Sequence, residues 1–445
     1  MKSMTIPVIF GMILLMTFGL VDTYFVSRLG TEQLAAISFT FPVTFTVISL
    51  NIGLGIGTSA TIAKLLGAGE GSTAKGAGTG ALILSFVMAT VLALVGWFTI
   101  EPIFLLLGAT QEHMPYIIDY MLVWYAAGIF LSLPMVGNAV LRAAGDTKTP
   151  SMIMALGGFI NAVLDPILIF GWGPVPAMGI QGAALATLIA WIVGSGQIVY
   201  LLAIKRKLII PRLLSLREIR EYSRDILKIG IPAAGANMLT PIANGIMTAI
   251  VAVYGSAAVA SWGVGGRIES IACIVILALS MTLPPFISQN FGAGKLSRVK
   301  SSYYLCLRFL LLWQFGVFVV MWLLSPFIAS AFAKEQEVID LIQLFLMIVP
   351  IGYGLQGIII LTNSSLNAMH KPMMALTLSV VRLFVFFVPI SYLGSYLYKL
   401  PGMFWFGLIA NLCTALVAFF WFRRLLNCEM AESLRQADSV AEATS

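Results

Sequence analysis

The residues with most chemical potential in this chain are two carboxylates set in apolar runs. Asp22 lies near the end of the stretch from Gly11 to Phe25, and Asp165 follows Asn161 by four residues and precedes Pro166. An ionised carboxylate at the centre of a bilayer costs about 2.5–3.5 kcal/mol on insertion scales, so acids inside apolar helices mark ion or substrate paths more often than they are incidental. Asn161 shares a helical face with Asp165, being one turn away, and Gly157 and Gly158 lie a further turn back. Phe18 and Phe25 flank Asp22 at i−4 and i+3. Pro166 interrupts the backbone ladder beside the acid, and Pro7 does the same near the start of the first helix. Such a set can hold a proton, a small cation or an organic cation. Its bland alternatives are an interfacial Asp22 reaching the outer headgroups and an Asp165 tied up by an amide.

The helices that must position these acids are apolar throughout. The 445 residues are 59% hydrophobic and 10% charged, where a soluble domain carries about a quarter charged residues. The apolar runs are about 20 residues or longer, enough for helices to cross the hydrocarbon, and short alternating barrel strands are absent. The chain reads as an all-α polytopic membrane protein of twelve transmembrane helices. They are expected near 5–25, 35–63, 77–100, 116–141, 150–170 and 181–204, then 229–254, 258–286, 302–325, 338–366, 373–397 and 403–422. The N-terminus has no small-residue cleavage signature and reads as a retained first span.

Loop charge orients the spans. Lys64 and Lys75, Arg142 and Lys148, and Lys295, Arg298 and Lys300 fall on one side, expected to be cytoplasmic, with Lys399 slightly off pattern. Both termini then lie in the cytoplasm of a bacterial-type inner membrane. Residues 205–228 carry eight basic side chains against three acids and read as an interfacial helix on anionic lipid. The +7 net charge follows from this topology and implies no nucleic-acid partner. Cys273, Cys306, Cys413 and Cys428 are scattered without a CxxC or a nearby His, so neither a disulfide framework nor a metal site is indicated.

The chain repeats itself. Pro7 matches Pro232, Gly30 matches Gly255, Gly67-Ala68-Gly69 matches Gly292-Ala293-Gly294, and Asn138 matches Asn363, all 225 residues apart; further on, Pro150 matches Pro372 and Pro166 matches Pro389. Six spans per repeat make the repeat parallel, so two six-helix bundles related by a pseudo-two-fold axis are expected, facing one central cavity. The division is 1–204 for the N-terminal bundle, 205–228 for the basic linker, 229–424 for the C-terminal bundle and 425–445 for a mobile tail. Asp22 and Asp165 each lie 15 residues after a proline on spans that run the same way, so they share a depth about 22 Å above those prolines. Their equivalents in the second half are Met247 and Val388, which confines carboxylate chemistry to the first bundle. Arg267, Glu269, Arg308 and Arg382 are read as structural pairing or headgroup anchors.

Several motifs together resemble one family. They are Val21-Asp22-Thr23-Tyr24-Phe25-Val26, Leu65-Leu66-Gly67-Ala68-Gly69, Leu141-Arg142-Ala143-Ala144-Gly145-Asp146, Asn161-Ala162-Val163-Leu164-Asp165-Pro166 and Gly182-Ala183-Ala184-Leu185-Ala186-Thr187. The chain resembles the MATE multidrug and toxic compound extrusion transporters, and within them the DinF-like prokaryotic branch. The resemblance implies a monomeric secondary antiporter, not an enzyme, that exports drugs and other organic cations in exchange for H⁺. It implies proton coupling at Asp22 and Asp165, substrate contacts from Asn161, Thr187 and Phe18, and bending of the first helix at Pro7. No cofactor or structural metal is implied, with Na⁺ at Asp22 and Asp165 as the alternative coupling ion. Thr240 stands where the NorM-like branch carries an acid, which weighs against a Na⁺ site in the second bundle. A lipid-linked precursor flippase of the same superfamily is a further alternative, although it calls for extra spans and a basic cavity. An intramembrane aspartyl protease fits neither acid's flanking residues.

Overall fold

The computed structural model describes residues 2–210, 212 and 214–444, and these are almost entirely helical. Met1 and Ser445, the outermost positions of the first bundle and the tail, lie outside the described residues. In chain order the helices are α1 (Lys2–Ser27), α2 (Thr31–Gly67), α3 (Gly71–Phe98), the short α4 (Ile100–Leu106), α5 (Met114–Ala143), α6 (Lys148–Phe170) and α7 (Gly179–Tyr200). There follow α8 (Leu216–Ala252), α9 (Ser256–Ala272), α10 (Ile274–Gly292), α11 (Leu296–Phe332), α12 (Gln336–Ile348), α13 (Tyr353–Ala368), α14 (Pro372–Val380) and α15 (Val388–Thr444). Apolar composition along their whole length is what holds such helices in lipid, where every backbone group must be satisfied within the segment.

Eleven continuous helices among the described residues are long and apolar enough to cross a membrane. The last of them, Pro372–Ser433, has 62 residues and would reach about 93 Å, three times the hydrocarbon thickness. It breaks at Tyr398 (φ −132°) and Lys399 (φ 58°), which makes it two crossings and brings the total to twelve. The expected eighth span is likewise in two pieces, α9 and α10, joined at Cys273.

Two expectations need correction. The basic linker is not an interfacial helix of its own: α7 ends in a π-helical segment, Leu201–Lys205, irregular backbone follows, and from Leu216 onward the residues are the first turns of α8. Ser215 starts that helix with a reciprocal cap, in which Glu218 accepts from the Ser215 backbone N–H (2.8 Å) and hydroxyl (2.9 Å) while its own N–H donates to Ser215 Oγ (3.3 Å). The C-terminal tail, expected to be mobile, continues α15 as helix to Thr444, and Glu429 on it pairs with Lys371 at 2.9 Å.

The chain divides into two compact units, Met1–Ala234 and Gly235–Ser445. In the first, α1 packs on α6, α6 on α7, and α5 on α2, α3 and α7. The early turns of α8 belong to this unit as well, since α2 meets them at small residues: a Cβ at Gly57 would strike the Ile226 carbonyl and one at Gly53 the Gly230 carbonyl. In the second unit α9 packs on α12, α10 on α13, and α11 on α12 and α13, the same helix order. The turns between helices repeat too. Gly69 (φ 84°) and Gly294 (φ 69°) close the duplicated Gly-Ala-Gly loops in the left-handed region, where a Cβ is costly. Gly145 (φ 88°) has His370 (φ 60°) at the same offset of 225, so the backbone turn persists where the glycine does not.

Candidate functional site

Four helices of the first unit bring the candidate residues together. On α6, Asn161 and Asp165 project from one face, and the Asn161 amide Nδ2 bridges outward, donating to Asp165 Oδ1 (3.4 Å) and to Thr187 Oγ1 on α7 (3.3 Å). Thr187 in turn donates to the Ala183 carbonyl one turn earlier (3.1 Å), which fixes its hydroxyl with the oxygen turned to the amide. The α7 start is drawn against α6 by backbone: Met178 N–H donates to the Leu168 carbonyl (2.9 Å), and Gly182 lies so close to that carbonyl that no Cβ would fit.

From α1 comes Asp22, half-buried, with its carboxyl within hydrogen-bonding reach of the Asp165 carboxyl. Asp165 is fully buried, and its Oδ2 has no N–H or O–H donor among the described residues. Two carboxyls at that separation need one proton between them to avoid bare like-charge repulsion, the arrangement that lets a pair hold and release a proton as a unit. Phe18, one turn before Asp22, lies with its ring directly on Gly158 of α6, where a side chain would collide with it. Nearer the start of α1, Gly11 sits against Ser151 (2.9 Å from the position of a Cβ to Ser151 Cβ), and Thr147 donates its hydroxyl to the Met4 carbonyl (2.8 Å). Pro7 lies between these contacts in an unbroken helix, about 22 Å from the acid along α1. Asp22, Asp165, Asn161 and Thr187 thus form one cluster, Phe18 packs at its edge, and Pro7 stands apart from it.

One member of the cluster is absent from the sequence reading. Tyr120 on α5 lies within electrostatic range of both Asp22 and Asp165. It gives no sign of itself by spacing, because Tyr120 sits among other aromatic residues near the helix start. Asp119, its neighbour in sequence, points away and is exposed.

In the second unit the equivalent positions lie in apolar surroundings. Met247 is buried in an apolar cluster against which Val388 packs. Where one half has two acids, the other has a thioether and a valine.

Comparison with known proteins agrees with the duplication. The family model described as MatE matches twice, at residues 7–167 and 232–393, and the two matches start 225 residues apart. Among curated relatives, the "FAD transporter" of Shewanella oneidensis is 40% identical over 427 residues, covering 96% of this chain and 94% of the relative. The "Probable multidrug resistance protein YoeA" of Bacillus subtilis is 27% identical, covering 94% and 91%. Among solved structures, the Vibrio cholerae MATE transporter VcmN in the bent form is 33% identical with a TM-score of 0.91, covering 96% of both chains. Family members are transporters of small organic molecules and not enzymes. This multi-pass membrane protein belongs to the MATE family of multidrug efflux transporters.

Proposed function

We propose that this chain exports organic, mostly cationic compounds in exchange for protons, with Asp22 and Asp165 as the coupling pair. One observation carries the reading: the two carboxyls meet within hydrogen-bonding reach in the first bundle, while their equivalents in the second are Met247 and Val388. Deprotonated, the pair supplies the negative charge that holds an organic cation, beside the Asn161 amide, the Thr187 hydroxyl and the Phe18 ring. A proton arriving from the outer side cancels that charge. The cation then leaves outward, and the altered pair changes α1 in the region of Pro7. Proton and drug occupy the first bundle in turn, each expelling the other.

The proposed setting is a monomer in a bacterial-type inner membrane with both termini cytoplasmic, in contact with membrane lipids. The working division keeps 1–204 and 229–424 as the bundles, with 205–228 between them and 425–445 as the tail. The test is ethidium export from proteoliposomes driven by a pH gradient without Na⁺, with Asp22→Asn and Asp165→Asn at matched reconstitution. Export should fall to the level of empty vesicles in both variants; parental rates in both would sink the reading, and export that needs Na⁺ alone would move the coupling to that ion at the same carboxylates.

A second reading concerns cargo. The relative with 40% identity is named a FAD transporter, which favours a flavin dinucleotide, anionic rather than cationic, as a substrate of this chain. Measuring flavin and ethidium export in the same vesicles separates the two.

A further inference from the structure

The second bundle lacks the acid pair but has a charged cluster of its own. Glu269 on α9, Tyr353 and Gln356 on α13 and Arg382 after α14 converge: Gln356 is within hydrogen-bonding reach of Glu269, and Arg382 and Tyr353 lie within its electrostatic range. Arg267 and Arg308, by contrast, are exposed. Tyr353 is fully buried, and the other three are half-buried, so each keeps a part of its surface open. The charges near one another are nonetheless not closed into a pair. Among the described residues the ion pairs are Arg206–Asp146, Arg212–Glu218, Arg217–Glu221 and Lys371–Glu429, and neither Glu269 nor Arg382 is in one. Arg382 Nε and the Tyr353 hydroxyl are buried with no hydrogen-bond partner among the described residues. A guanidinium has five N–H donors in a planar fork, and a structural arginine satisfies them with carbonyls or a carboxylate.

The repeat makes the position informative. Arg382 lies in a π-helical segment, Val381–Phe387, which the offset of 222 between Pro150 and Pro372 maps onto residues 159–165. That is the part of α6 that bears Asn161 and leads up to Asp165, the equivalent of Val388. Single π-helical turns within α-helices occur often at functional sites, because the widened turn re-aims a side chain. The equivalent spans therefore each carry a charge, Asp165 in the first bundle and, six residues before the Val388 that matches it, Arg382 in the second.

We infer that Arg382, with Gln356 and the Tyr353 hydroxyl, forms a subsite for the phosphate of an anionic organic substrate, and that Glu269 holds the guanidinium in place without neutralising it. Arginine recognises phosphate by paired N–H donors, and a phenol and an amide add neutral donors beside it. The inference rests on the reading of this chain as an exporter of small organic molecules, and it gives one fold a place for a cationic substrate and another for an anionic one.

Riboflavin and flavin mononucleotide share a ring system and differ by one phosphate, so their fluorescence anisotropy with the purified full-length chain, in detergent free of phospholipid, isolates the phosphate contribution. The parent should bind the mononucleotide about tenfold more tightly or better, the scale of one charge-assisted contact. Arg382→Gln should erase that preference while riboflavin binding stays put, Arg382→Lys should keep part of it, and Glu269→Gln, which frees the guanidinium from its positioning carboxylate, should weaken it. Equal affinities in the parent, or a preference that survives both Arg382 variants, overturn the subsite. A preference that vanishes on adding phosphatidylglycerol assigns the phosphate site to lipid headgroups and overturns it as a cargo site. Because binding in detergent needs no gradient, a failure here is separate from a failure of the Asp22 and Asp165 export test.

Discussion

The contact between Phe18 and Gly158 sets how closely the two acids approach. Asp22 is one turn beyond Phe18 on α1, and Asp165 is two turns beyond Gly158 on α6, so the ring-on-glycine contact is the nearest fixed point below the carboxyls. A side chain at residue 158 must displace either the ring or the helix. Overpacking of this kind costs roughly 1–3 kcal/mol and shifts backbone. Gly158→Leu should therefore lower gradient-driven ethidium export by about tenfold or more at normal expression, and adding Phe18→Ala should restore much of it by returning the space. Export by Gly158→Leu at the parental rate would show that the spacing of α1 and α6 is not set here. The acids themselves were legible in the sequence because their rarity in apolar runs and their common distance from a proline are local facts. Tyr120 was not, because its place beside them depends on how α5 packs, and no spacing along the chain encodes that.

At the scale of elements, helix breaks were harder to read than helices. The apolar runs are evident in composition, and twelve crossings follow once the long C-terminal helix is divided at Lys399. The division of the eighth span at Cys273 and the π-helical segments at Leu201–Lys205 and Val381–Phe387 have no proline at the break to announce them. The start of α8 did carry a signal. Ser215-Leu216-Arg217-Glu218 is the S-x-x-E pattern of a reciprocal helix cap, and it lay unused within a segment whose basic charge suggested a lipid-bound helix. Ser215→Ala removes the hydroxyl from that cap at a cost of about 1 kcal/mol, as for other serine caps. Amide exchange in the first turn of α8 should speed up by about fivefold, the equivalent of that energy, with the Arg212–Glu218 pair (2.7 Å) left to hold the turn. Unchanged exchange at Ile219 and its neighbours would mean that packing of α8 on α2 fixes the turn without the cap.

For the molecule as a whole, duplication followed by divergence explains why chemistry and fold are separable in this chain. The two units keep the same helix order and the same left-handed turns at offset 225. What differs is the content of equivalent positions, two acids in one unit and a methionine and a valine in the other. A bundle so built tolerates either, and in the second Met247 is buried within an apolar cluster. Met247→Asp would place a carboxyl there without a partner, at a cost of several kcal/mol if ionised. It should lower thermal stability in detergent by several degrees and leave Asp22→Asn uncoupled when the two are combined. Restoration of gradient-driven export in the double variant would show the opposite: that the bundles are interchangeable as proton carriers, and that the one-sided placement of the acids is an accident of descent and not a requirement of the cycle.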